Sequence, residues 1–160
     1  MSLNINKLLE VLQLQKNLIN ELAGLADQQF QALQQEDFIQ IQNITNHQEY
    51  IAKRMASLEQ RRQGVLEEYS QMLGFIINHI SQLQPYVDNN DFAAIQAIGD
   101  EIVNNSRKLQ QTHELNSLLL KQGLIYTTKI LGVLNADKGI YGKSGNLCQE
   151  TRPGLLNTNI

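Results

Sequence analysis

The sequence predicts an all-α fold: an elongated antiparallel bundle, or coiled coil, of three long helices followed by a flexible C-terminal tail. Three observations lead there. Apolar residues recur at alternating steps of three and four over most of the first 134 positions. The 160 residues include two prolines, four phenylalanines, five tyrosines and no tryptophan. That is too few aromatics and turn residues for a sandwich or barrel, whose turns recur about every 8–12 residues. Finally, the first 130 residues lack the Gly-rich strand-to-helix turns of a doubly wound α/β enzyme.

The first helix is predicted over residues 3–35. Its seam runs Ile5, Leu8, Leu12, Gln15, Ile19, Leu22, Ala26, Gln29 and Leu33, with seven of the nine positions apolar. A second stripe, Val11, Leu14, Leu18 and Leu25, lies beside it. Two adjacent stripes bury a wide face, as in a bundle. The run breaks at Gln34-Gln35-Glu36-Asp37, where Asp37 is placed to cap a second helix over 37–84, with Gln40 three residues on. That helix carries Ile41, Ile44, Gln48, Ile51, Met55, Leu58, Arg62, Val65, Tyr69 and Met72. A bend is expected near Gly74 and a stop before Pro85.

Asp88-Asn89-Asn90-Asp91 is rich in capping side chains and opens a third helix over 91–134. Its seam is Ile95, Ile98, Ile102, Asn105, Leu109, Thr112, Asn116, Leu119, Gly123, Tyr126, Ile130 and Val133. At 1.5 Å per residue the three helices would be about 45–75 Å long. Residues 1–135 thus form the helical domain, and residues 136–160 a Gly-containing tail without helical period. The tail cannot bury enough apolar surface to fold alone. Its spaced anchors, Ile140, Tyr141, Leu147, Leu155 and Leu156, suit ordering on a partner or docking on the chain's own bundle.

A formal charge of −3 and a pI near 5.6 argue against nucleic-acid binding, which relies on clustered positive charge. Amides outnumber charges: 20 Gln and 16 Asn. Cys148 is the single cysteine, so an internal disulfide is excluded. The N-terminal MSLNINKLLEVLQLQKN has no basic n-region or continuous apolar run, and no stretch approaches the roughly 18 apolar residues that span a bilayer. A cytoplasmic protein without membrane insertion is expected.

Chemistry is sparsely provided. His47, His79 and His113 have no acidic residue three or four positions away on the same helix, whereas a di-iron bundle needs Glu-x-x-His on two helices. No phosphate-cradling glycine loop occurs, and no motif supplies Cys148 with a base or an oxyanion site. The reading is therefore of a non-enzyme without metal or cofactor. Lys53, Arg54, Arg61 and Arg62 share a flank of the second helix, but Glu49, Glu59, Glu67 and Glu68 make that flank mixed. Arg62 falls in the seam, where its stem can pack while its head reaches out.

The polar middle of the third seam has two readings. Asn105, Thr112 and Asn116 fix helix alignment, as an Asn at a seam position does. Alternatively, this weak stretch leaves a groove for a partner helix, bordered by Leu115, Leu118, Leu119, Leu120 and Leu124, with Gly123 admitting a close neighbour.

The order of these elements resembles that of the FlgN-type flagellar export chaperones. The Asp37-Phe38 break before Ile41, Ile44 and Gln48 is similar to that family's short acidic break. Leu58-Glu59-Gln60-Arg61-Arg62 resembles its Leu-Glu-x-x-Arg stretch. His113 to Leu120 resembles its Asn-x-x-Asn-x-x-Leu-Leu pattern, with His113 in place of the first Asn. Tyr141-Gly142-Lys143-Ser144-Gly145 resembles its Tyr-Gly-x-x-Gly tail, with Leu155-Leu156 beyond.

The resemblance implies a non-catalytic cytoplasmic chaperone that protects amphipathic terminal helices of hook-filament junction (hook-associated) subunits before type III export. The surface expected to face the client comprises Asn116, Leu119, Leu120, Leu124, Ile140, Tyr141, Leu155 and Leu156. Asn116 would orient the client or set register, and Tyr141 is an alternative contact for the export gate or ATPase complex. The competing class is a self-assembling coiled-coil scaffold that forms a homo-oligomer and has no secreted client. A chaperone for another secreted substrate fits the same residues.

Overall fold

The first helix, α1, runs Asn6–Gln34, entered where Asn4 Oδ1 accepts from the Asn6 backbone N–H at 3.0 Å. It is amphipathic as the seams require: Leu8, Val11, Leu12, Leu18, Ile19, Leu25 and Ala26 are buried, as are the polar seam members Gln15 and Gln29. A tight turn follows. Glu36 takes φ 57°, a left-handed backbone that costs an L-residue about 1–2 kcal/mol, and the Asp37 N–H returns to Ala32 O at 3.0 Å. Asp37 then caps α2, Phe38–Leu73, its Oδ1 accepting from the Gln40 N–H at 3.1 Å. The computed structural model describes the backbone of residues 3–140 and the side chains of residues 3–134.

The second helix ends at Leu73, not at residue 84. Gly74 does more than bend it. With φ 76° it takes the left-handed cap conformation that glycine adopts without a Cβ penalty, and its N–H closes on Ser70 O at 2.9 Å. Met72, the last member of the second seam, is 72% exposed, whereas Leu73 beside it packs against the core. A short 3-10 helix, Ile80–Tyr86, follows with Pro85 inside it. Gln82 Oε1 secures its start by accepting from the N–H groups of Asn78 (2.8 Å) and His79 (2.9 Å). The third long helix, α3, spans Asn89–Ile140, six residues beyond the expected end. The rest of the expected tail, residues 141–160, lies outside the described residues.

The chain divides into two units, residues 1–119 and 120–160. In the first, α1 and α2 are antiparallel. Lys7 pairs with Glu68 (2.8 Å), Glu10 with Arg61 (3.1 Å), and Gln29 with Thr45 (3.3 Å). The docked part of α3 is parallel to α1: Lys16 pairs with Glu101 (3.1 Å), and Asn105 Nδ2 donates to Asn20 Oδ1 (2.6 Å). The topology is up-down-up, as predicted.

The core has two parts. One gathers Ile5, Leu8, Leu12, Val65, Leu66, Tyr69, Leu83, Val87 and Ile95; the other gathers Leu18, Leu25, Ala32, Ile44 and Ile51. At a rough 25 cal/mol per Å² of apolar area removed from water, these two clusters supply the main folding drive. In the first cluster the chain's two ends of approach are stitched together. Leu3 N–H donates to Tyr86 O at 2.8 Å, and Tyr69 Oη donates to Asn4 O at 3.0 Å.

Between the two clusters in sequence lies a polar layer on Glu59. Its carboxylate accepts from Arg62 through Nε (2.8 Å) and Nη2 (2.6 Å), from Gln15 Nε2 (3.1 Å) and from Gln63 Nε2 (3.3 Å). Arg62 therefore turns its head onto Glu59 instead of reaching for solvent. The Arg62 hydrogen bonds hold the Glu59 carboxyl down to about 2, and the same contact raises the Arg62 guanidinium.

Glu59→Gln should lower stability near pH 7 by about 1 kcal/mol, since the pair is partly exposed and screened. Glu59 is depressed below the unfolded value of about 4.3. The folded chain thus binds fewer protons between the two values, and this contribution is complete above them and lost as pH falls through about 2. Urea titrations should find the gap between wild type and E59Q closing at the acid end; a pH-independent gap would refute the pairing.

Candidate functional site

The polar middle of the third seam is where α3 is tied down. Asn116 is 1% exposed. Its Nδ2 donates to Ala26 O (2.9 Å) and to Gln29 Oε1 (3.2 Å), both on α1. Gln29 Nε2 passes a further bond to Thr45 Oγ1 (3.3 Å), and Thr45 donates to Ile41 O (2.9 Å) on α2. One relay of amides and a hydroxyl therefore links all three helices at depth. Asn116 Oδ1 is buried and has no partner among the described residues, so the anchor is incompletely satisfied. A buried acceptor left unpaired costs about 1–3 kcal/mol.

Asn116 and Asn105 both engage α1, so alignment is the role their geometry serves. The sequence had marked Asn116 and Gln29 as polar seam residues. Thr45 was not singled out, because a threonine beside Ile44 gives no period or motif to find it by.

Two open grooves mark the first unit. One, of about 490 Å³, lies where α1, α2 and α3 meet, with Leu22, Ala52 and Leu109 in its lining and Glu49, Gln110 and His113 around them. The other, of about 350 Å³, lies between α1 and α2 and involves Leu14, Leu18, Leu58, Glu21 and Arg54. His47 Nε2 stands 3.2 Å from Glu21 Oε1, and the Arg54 guanidinium lies 5.9 Å from the Tyr50 ring centre. Arg61 and Arg62 are each paired with a carboxylate. Among the described residues no three His, Cys, Asp or Glu side chains gather as a metal site, and no helix is long and apolar enough to cross a membrane.

The expected client-facing residues divide by exposure. Asn116 is buried and Leu119 half-buried, while Leu120 (47%) and Leu124 (69%) are exposed. From Leu120 to Leu134 every side chain is exposed, including Ile125, Tyr126, Ile130, Leu131, Val133 and Leu134. Gly123 was expected to admit a close neighbour. A Cβ built there would meet nothing within 4 Å among the described residues, so the position is open. Ile140 closes α3, and Tyr141, Leu155 and Leu156 lie outside the described residues.

Both groups facing the Asn116 amide nitrogen are acceptors, which fixes what the site tolerates. Asn116→Asp would bury a carboxylate against two oxygens and should cost about 3–5 kcal/mol, more than Asn116→Ala. The Asp penalty should shrink in acid, because burial raises the pKa of such a carboxyl and protonation relieves it. Chemical denaturation of the two variants across pH checks this; an Asp variant as stable as wild type near pH 7 would overturn the hydrogen-bond assignment.

A family model described as FlgN protein matches residues 1–148. No curated protein and no solved structure matches the chain.

Proposed function

Since the chain belongs to the FlgN family of flagellar export chaperones, we propose that it holds amphipathic terminal helices of hook-filament junction subunits in the cytoplasm until they enter the type III export apparatus. The family's work is protection of flagellar proteins in flagellum biogenesis, not catalysis. The observation that supports this client class is the exposed apolar run of α3 between Leu120 and Leu134. Soluble chains seldom leave so many large apolar side chains on one continuous helix without a use for them. An amphipathic client helix laid along such a surface buries its own apolar face at the same time.

The reading gives each residue a role. Leu120 and Leu124, with Leu119 beside them, supply contact area. Asn116 acts from below by setting the register of α3 on α1. Ile140, Tyr141, Leu155 and Leu156 extend the contact in this reading, with Tyr141 serving the client or the export gate.

The test is co-purification of the tagged chain with the hook-filament junction subunits of its own organism, followed by size exclusion with light scattering. A stoichiometric complex that survives the column is expected. In Leu120→Glu/Leu124→Glu its affinity should fall at least about tenfold, or about 1.4 kcal/mol. Helicity should be unchanged, because both leucines are exposed. A homo-oligomer that ignores both subunits would replace the chaperone reading with the scaffold one.

A further inference from the structure

Charge is segregated along this chain. Residues 1–119 hold fourteen acidic and eight basic side chains, whereas residues 120–160 hold two and five, giving formal charges of −6 and +3. Within α3 no carboxylate occurs between Glu114 and Asp137, and the charges in that interval are Lys121 and Lys129. Both lysines are exposed.

Their positions on the helix matter more than their number. At about 100° per residue, Leu124, Leu131 and Leu134 fall in one row and Tyr126, Ile130 and Val133 in the next, together covering roughly half the circumference. Lys121 borders the first row and Lys129 the second; Ile125 lies on the opposite side, between them. An apolar face edged by lysine on both borders has the pattern with which paired helices choose partners through flanking charges. A second copy would bring lysines to the same borders and be repelled. Two lysines also fall short of the polybasic clusters that anionic lipid surfaces recruit.

We infer that the Leu120–Leu134 surface takes an amphipathic helix of another chain whose apolar stripe is bordered on both sides by carboxylates. This rests on the chaperone reading for the client's origin and adds the charge pattern by which the client is chosen. Border charges act mainly on the association rate and its salt dependence. Lys121 and Lys129 would therefore select among amphipathic helices at encounter, before apolar contact is complete.

The experiment uses the full chain and two synthetic helices with the same leucine stripe, one bordered by glutamate and the other by lysine. At about 50 mM salt the glutamate peptide should associate at least about tenfold faster, and the difference should shrink at about 500 mM, where the screening length is shorter. Lys121→Glu/Lys129→Glu should reverse the preference with unchanged helicity. Equal rates, a lysine-peptide preference, or no reversal in the variant would overturn the inference. So would tight binding to equimolar phosphatidylcholine–phosphatidylserine vesicles that blocks both peptides. The junction subunits run alongside separate the two claims. If wild type and the variant hold them equally, the charge inference fails and the chaperone reading stands. If neither holds them while the glutamate peptide is preferred, the reverse is true.

Discussion

Two hydrogen bonds from one buried amide determine how the three helices are arranged. Asn116 Nδ2 donates to Ala26 O and Gln29 Oε1, and the relay continues through Thr45 to the α2 backbone. Apolar seams alone permit neighbouring helices to slide by a heptad at little cost, because leucine packs against leucine in several registers. A buried amide does not permit it, since any other register leaves donors without acceptors in a medium of low dielectric. Asn105 with Asn20 and Lys16 with Glu101 join the same two helices nearer the surface. Asn116 Oδ1, without a partner among the described residues, is the one member of the relay left unsatisfied there.

The helices themselves were legible because their signals are additive over many residues. The first seam predicted the buried face of α1 nearly residue by residue, including the polar members Gln15 and Gln29, and Asp37 was readable as a cap. What failed was punctuation. Gly74 reads as a helix bend or a helix end, since glycine weakens a helix interior at ordinary φ and caps one at positive φ, and the packing of Ile77, Leu83 and Val87 against the core goes with the end. Arg62 offered a similar ambiguity. Its stem position was readable, whereas the four hydrogen bonds converging on Glu59 depend on side chains scattered from residue 15 to residue 63.

The surface of α3 was harder to read for a different reason. The three-four spacing runs from Ile95 to Val133, with polar members in its middle, yet Ile95 is buried and Val133 is 63% exposed. Periodicity reports that a helix has an apolar face; it does not report whether the same chain supplies something to cover it. One pattern therefore serves folding at the start of the seam and, among the described residues, accompanies exposed apolar side chains at its end.

The bond between Leu3 and Tyr86 has a consequence for synthesis. About eighty residues separate the two partners, and at roughly 5–20 residues per second a ribosome needs about 4–16 s to deliver the second after the first. By the end of that interval α2 has emerged to pack on α1, but the first cluster still lacks Val87 and Ile95, so the stripe of α1 is closed only in part. Each new copy thus passes through a state in which its first core cluster is incomplete, and the length of that state is set by translation speed and not by the finished fold.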